Sequence, residues 1–262
     1  MHALAISFLA IYLAHLVTDF VLQADRVVVG KKRGSVLAYL EHGGIHFVSA
    51  VLFLGFAVPG LWRSLLFYGS LAVLTLVHLG IDRAKIGLVR RRTIEDGAAS
   101  FFGDQAVHFV TVAVAAWLIA RPSTANLIAK IHGFQSQIEK PLLLLVVYVG
   151  VIFGGGYLVR FVTKPLLKSN LEVIGESTNE LQNAGMYIGW LERFVVLTSL
   201  VLQSPATVGL ILTAKSIARY PELKSVRFAE YFLIGTLLSV TLGILGGLIL
   251  LKAFYGTVAL GK

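Results

Sequence analysis

The chain has 262 residues, of which 56% are hydrophobic and only 14% charged, and its mean hydropathy is +0.80. This composition excludes an ordinary soluble domain, in which about 25% of the residues are charged, and it predicts a polytopic membrane protein. The net charge of +9 does not imply nucleic-acid binding, because in a membrane protein such an excess reports topology and contact with anionic headgroups. Cysteine is absent, which excludes disulfides, thiolate metal sites and cysteine nucleophiles.

Apolar runs of membrane length predict the helices in chain order. The first run has no basic segment before it and no small-residue cleavage site, so we interpret it as a transmembrane helix rather than a signal peptide. A basic connection follows at 24–41, with an interfacial helix expected through Val36–Leu40, and the most basic loop lies at 83–100. The first five predicted spans cover residues 3–22, 43–58, 64–82, 101–120 and 141–162.

The apolar stretch at 185–220 is too long for one span, and Pro205 lies near its middle. Because proline breaks a helix, we expect a helical hairpin there, followed by a last span at 228–251. The predicted fold is an all-α bundle of about seven to eight transmembrane helices. Its predicted parts are a four-helix unit at 1–122, a connecting region at 123–184 and a C-terminal unit at 185–262. The connecting region contains the fifth span and an amphipathic segment at the membrane surface.

The basic loops predict the orientation of the chain. If the N-terminus lies outside, the loops at 24–41, 83–100, 163–184 and 220–227 all lie in the cytoplasm, and these loops hold most of the Lys and Arg residues. A single span at 185–220 would place Lys224 and Arg227 outside, so the charge rule favours the hairpin and eight spans. The expected location is the bacterial cytoplasmic membrane.

Four pairs of ionisable residues recur at a spacing of four, which places both side chains of a pair on one face of a helix. Under the predicted topology all four pairs lie at one depth, near the cytoplasmic face. Polar residues extend these faces at helical spacing: Gln23, Thr75, Lys85 and Thr111. The pairs are His15/Asp19, His42/His46, His78/Asp82 and Asp104/His108.

Ionisable residues in membrane helices are costly and usually face a bundle interior or an aqueous cavity. Imidazole and carboxylate groups together suit Zn, Mn or Fe, and four-helix bundles build dinuclear sites from them. We therefore predict that the eight paired residues provide the ligands for two divalent metal ions, with Asp82, Asp104 and Lys85 as catalytic candidates. The alternative is that the pairs form interhelical hydrogen bonds that specify packing.

A second polar set lies in the C-terminal part of the chain. It can form a pocket for an anionic headgroup, or a set of ion pairs that lock the hairpin to the last helix. Its members are Glu192, Arg193, Lys215, Arg219 and Glu230.

Several short motifs resemble a family of bacterial and phage polytopic membrane proteins that is known only as a domain of unknown function. They are HLVTDFVLQ, HGGIH, HLGIDRAK, GDQAVH, IGWLER, AKSIARYPEL and AEYFLIGTLLS. The resemblance covers nearly the whole chain and implies no activity. The HxxxD pairs are also similar to the transmembrane metal sites of cation diffusion facilitators, although this chain has four pairs and no cytosolic domain of the facilitator type.

Three functions are compatible with these residues. The first is a metal-dependent membrane hydrolase that acts on a lipid or lipid-linked substrate. The second is a transporter or channel for divalent cations or protons, and the third is a non-catalytic membrane scaffold. The predicted partner is the lipid bilayer, with no nucleic acid.

Overall fold

The computed structural model describes residues 2–120, 138–171 and 184–256, and these residues form helices joined by short turns. Among these residues, seven helical stretches are long and apolar enough to cross a membrane, as expected for a polytopic bundle, and the fifth of them is Glu139–Lys164. The chain divides into two compact units, Met1–Val149 and Gly150–Lys262. Residues 172–183 of the expected amphipathic segment lie outside the described residues.

The described residues of the first unit form six α-helices: α1 (His2–Phe20), α2 (Asp25–Arg33), α3 (Val36–Ala57), α4 (Leu65–Arg90), α5 (Ala98–Ala120) and α6 (Glu139–Val149). Helix α1 packs against α3, α5 and α6, while α4 packs against both α3 and α5. The middle of α1 is therefore almost fully enclosed, with Ala10, Ile11 and Ala14 each 0% exposed. The polar residues further along α1 lie in the same interior.

The connection between the first two long helices differs from the expectation. Residues 36–40 begin the membrane-length helix α3 and do not form a separate interfacial helix. The short helix in this connection is instead α2, and Gly34, which follows its last residue, has the left-handed conformation (φ 80°). Ser35 then caps α3 by accepting a hydrogen bond from the Ala38 backbone N–H at 3.4 Å. This turn sets α2 against α3 and α4, so that residues of α2 reach the bundle interior.

The second unit begins with a π-helical turn (Gly150–Gly154), followed by α7 (Gly155–Leu171), α8 (Ala184–Val201), α9 (Ala206–Ala218) and α10 (Val226–Tyr255). The expected break at Pro205 is present: α8 ends at Val201, and Gln203 has a φ of 57° in the turn before α9. Helix α9 has 13 residues, so it is about 20 Å long and shorter than the bilayer core of about 30 Å.

Small residues allow α8 and α10 to approach closely. A Cβ atom on Gly243 would lie 2.6 Å from Val196 Cγ1, and one on Gly247 would lie 2.6 Å from Leu200 Cδ1. Glycine at such positions is typical of helix contacts in membranes, where close packing replaces the hydrophobic effect as the driving force. The 30-residue helix α10 packs against both α7 and α8.

Candidate metal centre

The four predicted pairs meet inside the first unit. Helices α1 and α4 carry their pairs towards their C-terminal ends, and α3 and α5 carry theirs near their N-terminal ends, so antiparallel packing brings the pairs to one level. The five histidines are at most 2% exposed, and the carboxylate side chains of Asp19, Asp82 and Asp104 are 11%, 9% and 7% exposed. We call these eight residues the His/Asp cluster.

Three ligand atoms of the His/Asp cluster converge most closely. Asp19 Oδ1 lies 3.4 Å from both His42 Nε2 and His78 Nε2, and the two nitrogens are 2.9 Å apart. For a triangle with these sides, a point about 2.0–2.1 Å from all three atoms lies within about 1 Å of their plane, and that radius matches zinc–nitrogen and zinc–oxygen bonds. The three atoms therefore have the spacing of ligands of one such ion, and in the structure the two nitrogens are within hydrogen-bonding distance of each other.

Asp82 lies close to two of these three atoms. Its Oδ2 atom lies 3.4 Å from His42 Nε2 and 4.0 Å from His78 Nε2. Ligands of one metal ion are about 3–4 Å apart when each bond is about 2.0–2.2 Å long. Both separations are in this range.

The remaining residues of the cluster form two overlapping groups in which the ligand atoms lie within 4.8 Å of one another. His15, His78 and His108 make one group, and Asp82, Asp104 and His108 make the other. The rings of His15 and His108 stack at 4.7 Å between centroids. Seven of the eight predicted residues thus belong to at least one group.

His46 belongs to none of the three groups found among the described residues. Its Nδ1 atom lies 3.0 Å from the hydroxyl oxygen of Thr75, and its ring stacks on His78 at 4.3 Å. His46 therefore packs against the imidazole of His78 and restricts the orientation of that ring.

Hydrogen bonds fix which ring nitrogen of two histidines carries the lone pair. His108 Nδ1–H donates to the Asp104 backbone carbonyl at 3.0 Å, and His15 Nε2–H donates to Gln105 Oε1 at 3.4 Å. The lone pairs therefore lie on His108 Nε2 and His15 Nδ1, and both atoms are buried without a hydrogen-bond partner. Metal-binding histidines are typically oriented in this way, by a hydrogen bond from the other ring nitrogen.

Gln23 contacts His42, another histidine of the cluster. The Gln23 side-chain amide lies 3.2 Å from His42 Nδ1. A 180° rotation of this amide presents its oxygen to Nδ1–H, which is the tautomer that leaves His42 Nε2 free to bind a metal. Gln23 can therefore serve either tautomer of His42 from one position.

Two lysines lie beside the carboxylates. Lys31 Nζ is 2.6 Å from Asp82 Oδ2, and Lys85 Nζ is 3.0 Å from Asp104 Oδ2. Lys31 was missed by the sequence interpretation, which treated residues 24–41 as a solvated basic connection. In the structure Val27 and Lys31 lie on one face of α2 and both are buried, but no local sequence pattern identifies Asp82 as the partner of Lys31.

The polar set of the second unit is divided among separate contacts. Glu192 and Lys215 form an ion pair at 2.7 Å, whereas Arg219 pairs with Glu222 at 3.2 Å. Glu230 is exposed. Glu192 and Lys215 line one pocket together, and the described residues that line it do not include Arg193, Arg219 or Glu230.

Arg193 is 3% exposed and interacts mainly with backbone. Its Nε–H and Nη2–H donate to the Ile152 carbonyl in the π-helical turn, at 3.0 and 2.7 Å. Its Nη1–H donates to Ser239 Oγ at 3.3 Å. Gly156 makes room for the guanidinium, because a Cβ atom there would lie 2.8 Å from Nη2. Arg193 is therefore a link between α8, α10 and the π-helical turn.

Comparison with known proteins gives a family for the part of the chain that contains the His/Asp cluster. Residues 7–135 match the model of a family described as "Protein of unknown function (DUF3307)". This agrees with the resemblance drawn from the motifs up to GDQAVH, whereas the later motifs lie outside the matched residues. No curated protein and no solved structure matches the chain. The match includes all eight residues of the cluster and assigns no activity to them.

Proposed function

We propose that this membrane protein binds a divalent transition metal at the His/Asp cluster and uses it to hydrolyse a lipid or lipid-linked substrate. The main support is a set of buried polar atoms that make no hydrogen bond, five of which belong to the cluster. Burying a polar atom without a hydrogen bond is costly, so a cation bound within the cluster would compensate for the burial of the atoms that bind it. The five atoms are His15 Nδ1, Asp19 Oδ1, His78 Nδ1, Asp104 Oδ1 and His108 Nε2.

The donor set matches the chemistry of a catalytic metal. Imidazole nitrogens with carboxylate oxygens suit Zn, Mn or Fe. A catalytic zinc site has about three protein ligands and an open position for water, whose pKa the metal lowers to about 7. Asp19, His42 and His78 provide such a set, and Asp104 Oδ1 is available nearby to accept a proton.

The position of the cluster favours hydrolysis over transport. On one side of the cluster, the four helices carry no Asp, Glu, His, Lys or Arg, in the segments 3–14, 47–57, 65–77 and 109–120. A permeation path would need polar groups through the other half of the bilayer. With the N-terminus outside, the cluster lies at the cytoplasmic leaflet, at the depth of lipid headgroups.

Metal content and water incorporation test this proposal together. The purified protein is reconstituted with bacterial lipid extract in water enriched in oxygen-18, and both the bound metal and the labelled products are measured by mass spectrometry. We expect at least one transition-metal ion per chain and a product that contains oxygen-18 only when the metal is present. Asp19→Asn should abolish both, since it removes a ligand at the closest point of the cluster.

Two control variants separate ligands from their neighbours. Asp96→Asn changes a carboxylate on the surface, where Asp96 pairs with Lys32 at 3.5 Å, and it should leave metal content unchanged. His46→Ala should retain the metal, whereas His42→Ala should lose it. A folded wild-type protein without metal would contradict the proposal, and so would a metal-loaded protein that forms no labelled product.

A further inference from the structure

From the charges around the His/Asp cluster we infer that its substrate is a phosphate ester, bound through Lys85 next to the metal. This inference rests on the proposed metal site and names the substrate class that the site accepts. It distinguishes phosphate esters from the carboxylic esters and amides that a metal hydrolase can also cleave.

The metal-loaded site carries a net positive charge. Three carboxylates and two lysines, Lys31 and Lys85, leave one negative charge when the histidines are neutral. One divalent ion therefore makes the site positive by one charge, and two ions make it positive by three. The two metals expected from the sequence would balance three carboxylates, but the lysines already balance two of them. A loaded site of this kind attracts an anionic substrate, whereas a carboxylic ester or amide is neutral.

Lys85 is available to bind a phosphate group. Its side chain is 25% exposed, whereas that of Lys31 is only 6% exposed. Among the described residues, Asp104 Oδ2 is the acceptor that contacts Lys85 Nζ, and an ammonium group has three N–H donors. Two donors of Lys85 thus remain for the oxygens of a phosphate, for which lysine is a common ligand.

The surface around Lys85 suits an anionic headgroup. Leu88 lies one helical turn further along α4 and is 42% exposed, on the same face as Lys85. Arg90, Arg91 and Arg92 follow, and all three are exposed. A phosphate bound at Lys85 would therefore have an apolar side chain on one side and a basic segment beyond it, as an anionic headgroup requires.

The reaction consistent with this placement is hydrolysis of a phosphoester. A water oxygen forms a bond to phosphorus, and the bond between phosphorus and the ester oxygen of the leaving alcohol breaks. The proton lost by the water passes to Asp104 Oδ1 and then to the departing alkoxide, so that water and ester become phosphate and alcohol. Lys85 stabilises the negative charge on the non-bridging oxygens throughout.

Binding of inorganic phosphate tests the inference directly. Calorimetric titration of the metal-loaded protein with inorganic phosphate should show binding that disappears when the metal is removed. Lys85→Met should weaken this binding by about 10- to 100-fold, the effect expected when one charge-assisted hydrogen bond is lost, without changing metal content. Lys85→Arg should restore part of the affinity. Lys32→Met is the control, because Lys32 is 60% exposed and pairs with Asp96, and it should bind phosphate as the wild type does.

Competition identifies the source of the phosphate. Glycerol phosphate and short-chain phosphatidylglycerol are each titrated against bound inorganic phosphate. Competition by the lipid supports a headgroup substrate, and competition by glycerol phosphate alone supports a soluble ester. A metal-loaded protein that binds no phosphate, or a Lys85→Met variant that binds it with wild-type affinity, would overturn the inference while leaving the metal site intact. A protein without metal would instead contradict the proposed function.

Discussion

The buried pair between Lys31 and Asp82 allows a quantitative test of the interior of the first unit. Asp82→Asn leaves the Lys31 ammonium buried without its carboxylate, and such a loss costs about 3–5 kcal/mol in the free energy of unfolding. The surface pair between Arg26 and Glu41 is the matched control. Both pairs have an N–O distance of 2.6 Å, but the side chains are 6% and 9% exposed in the first and 78% and 33% in the second. Glu41→Gln should therefore cost only about 0–1 kcal/mol.

The assay is reversible unfolding in mixed micelles with an increasing fraction of denaturing detergent, in the presence of a chelator so that metal binding does not contribute. The double variant Lys31→Met/Asp82→Asn should recover most of the lost stability, because neither charge is then left alone. Equal effects of Asp82→Asn and Glu41→Gln would refute this reasoning. Additive effects of the two substitutions in the double variant would also refute it.

Two further predictions concern the second unit, and both are measured by the same unfolding assay. Arg193→Leu should destabilise the unit by about 2–4 kcal/mol, because it removes both hydrogen bonds to the buried Ile152 carbonyl. Gly243→Val should destabilise the contact between α8 and α10, since even a Cβ atom there would lie 2.6 Å from Val196. Gly209→Ala is the control, because a Cβ atom there meets nothing within 4 Å, and it should be neutral or slightly stabilising. A fully stable Arg193→Leu or Gly243→Val variant would contradict the packing described for the unit.

The membrane fold could be predicted because its signals are local. Apolar runs of about 20 residues can only be helices in a bilayer, and Pro205 marks the break between α8 and α9. Helix ends were less accurate: α4 extends to Arg90, eight residues beyond the predicted span, because lysine and arginine are good helix formers outside the bilayer. The expectation of an eighth span depended on the length of the apolar stretch, on Pro205 and on the charge rule; the break is present, but α9 has only 13 residues, fewer than the roughly 20 that a span needs.

The residues of the His/Asp cluster could be predicted from their spacing, but their individual roles could not. Spacing places His42 and His46 on one face of α3, yet only the packing of α4 shows that His42 contacts His78 Nε2 at 2.9 Å and that His46 stacks on its ring. Lys31 is a long-range partner of Asp82, 51 residues away, and no local pattern identifies such a pair. The orientation imposed on His108 by the Asp104 carbonyl is likewise a property of the folded helix.

The most direct test of the metal centre is anomalous diffraction from crystals of the purified protein at the absorption edge of the metal found by elemental analysis. The proposal predicts a peak about 2.0–2.1 Å from Asp19 Oδ1, His42 Nε2 and His78 Nε2. The Asp19→Asn variant should lack this peak. A crystal structure without a peak, in which waters fill the space between the carboxylates, would contradict it.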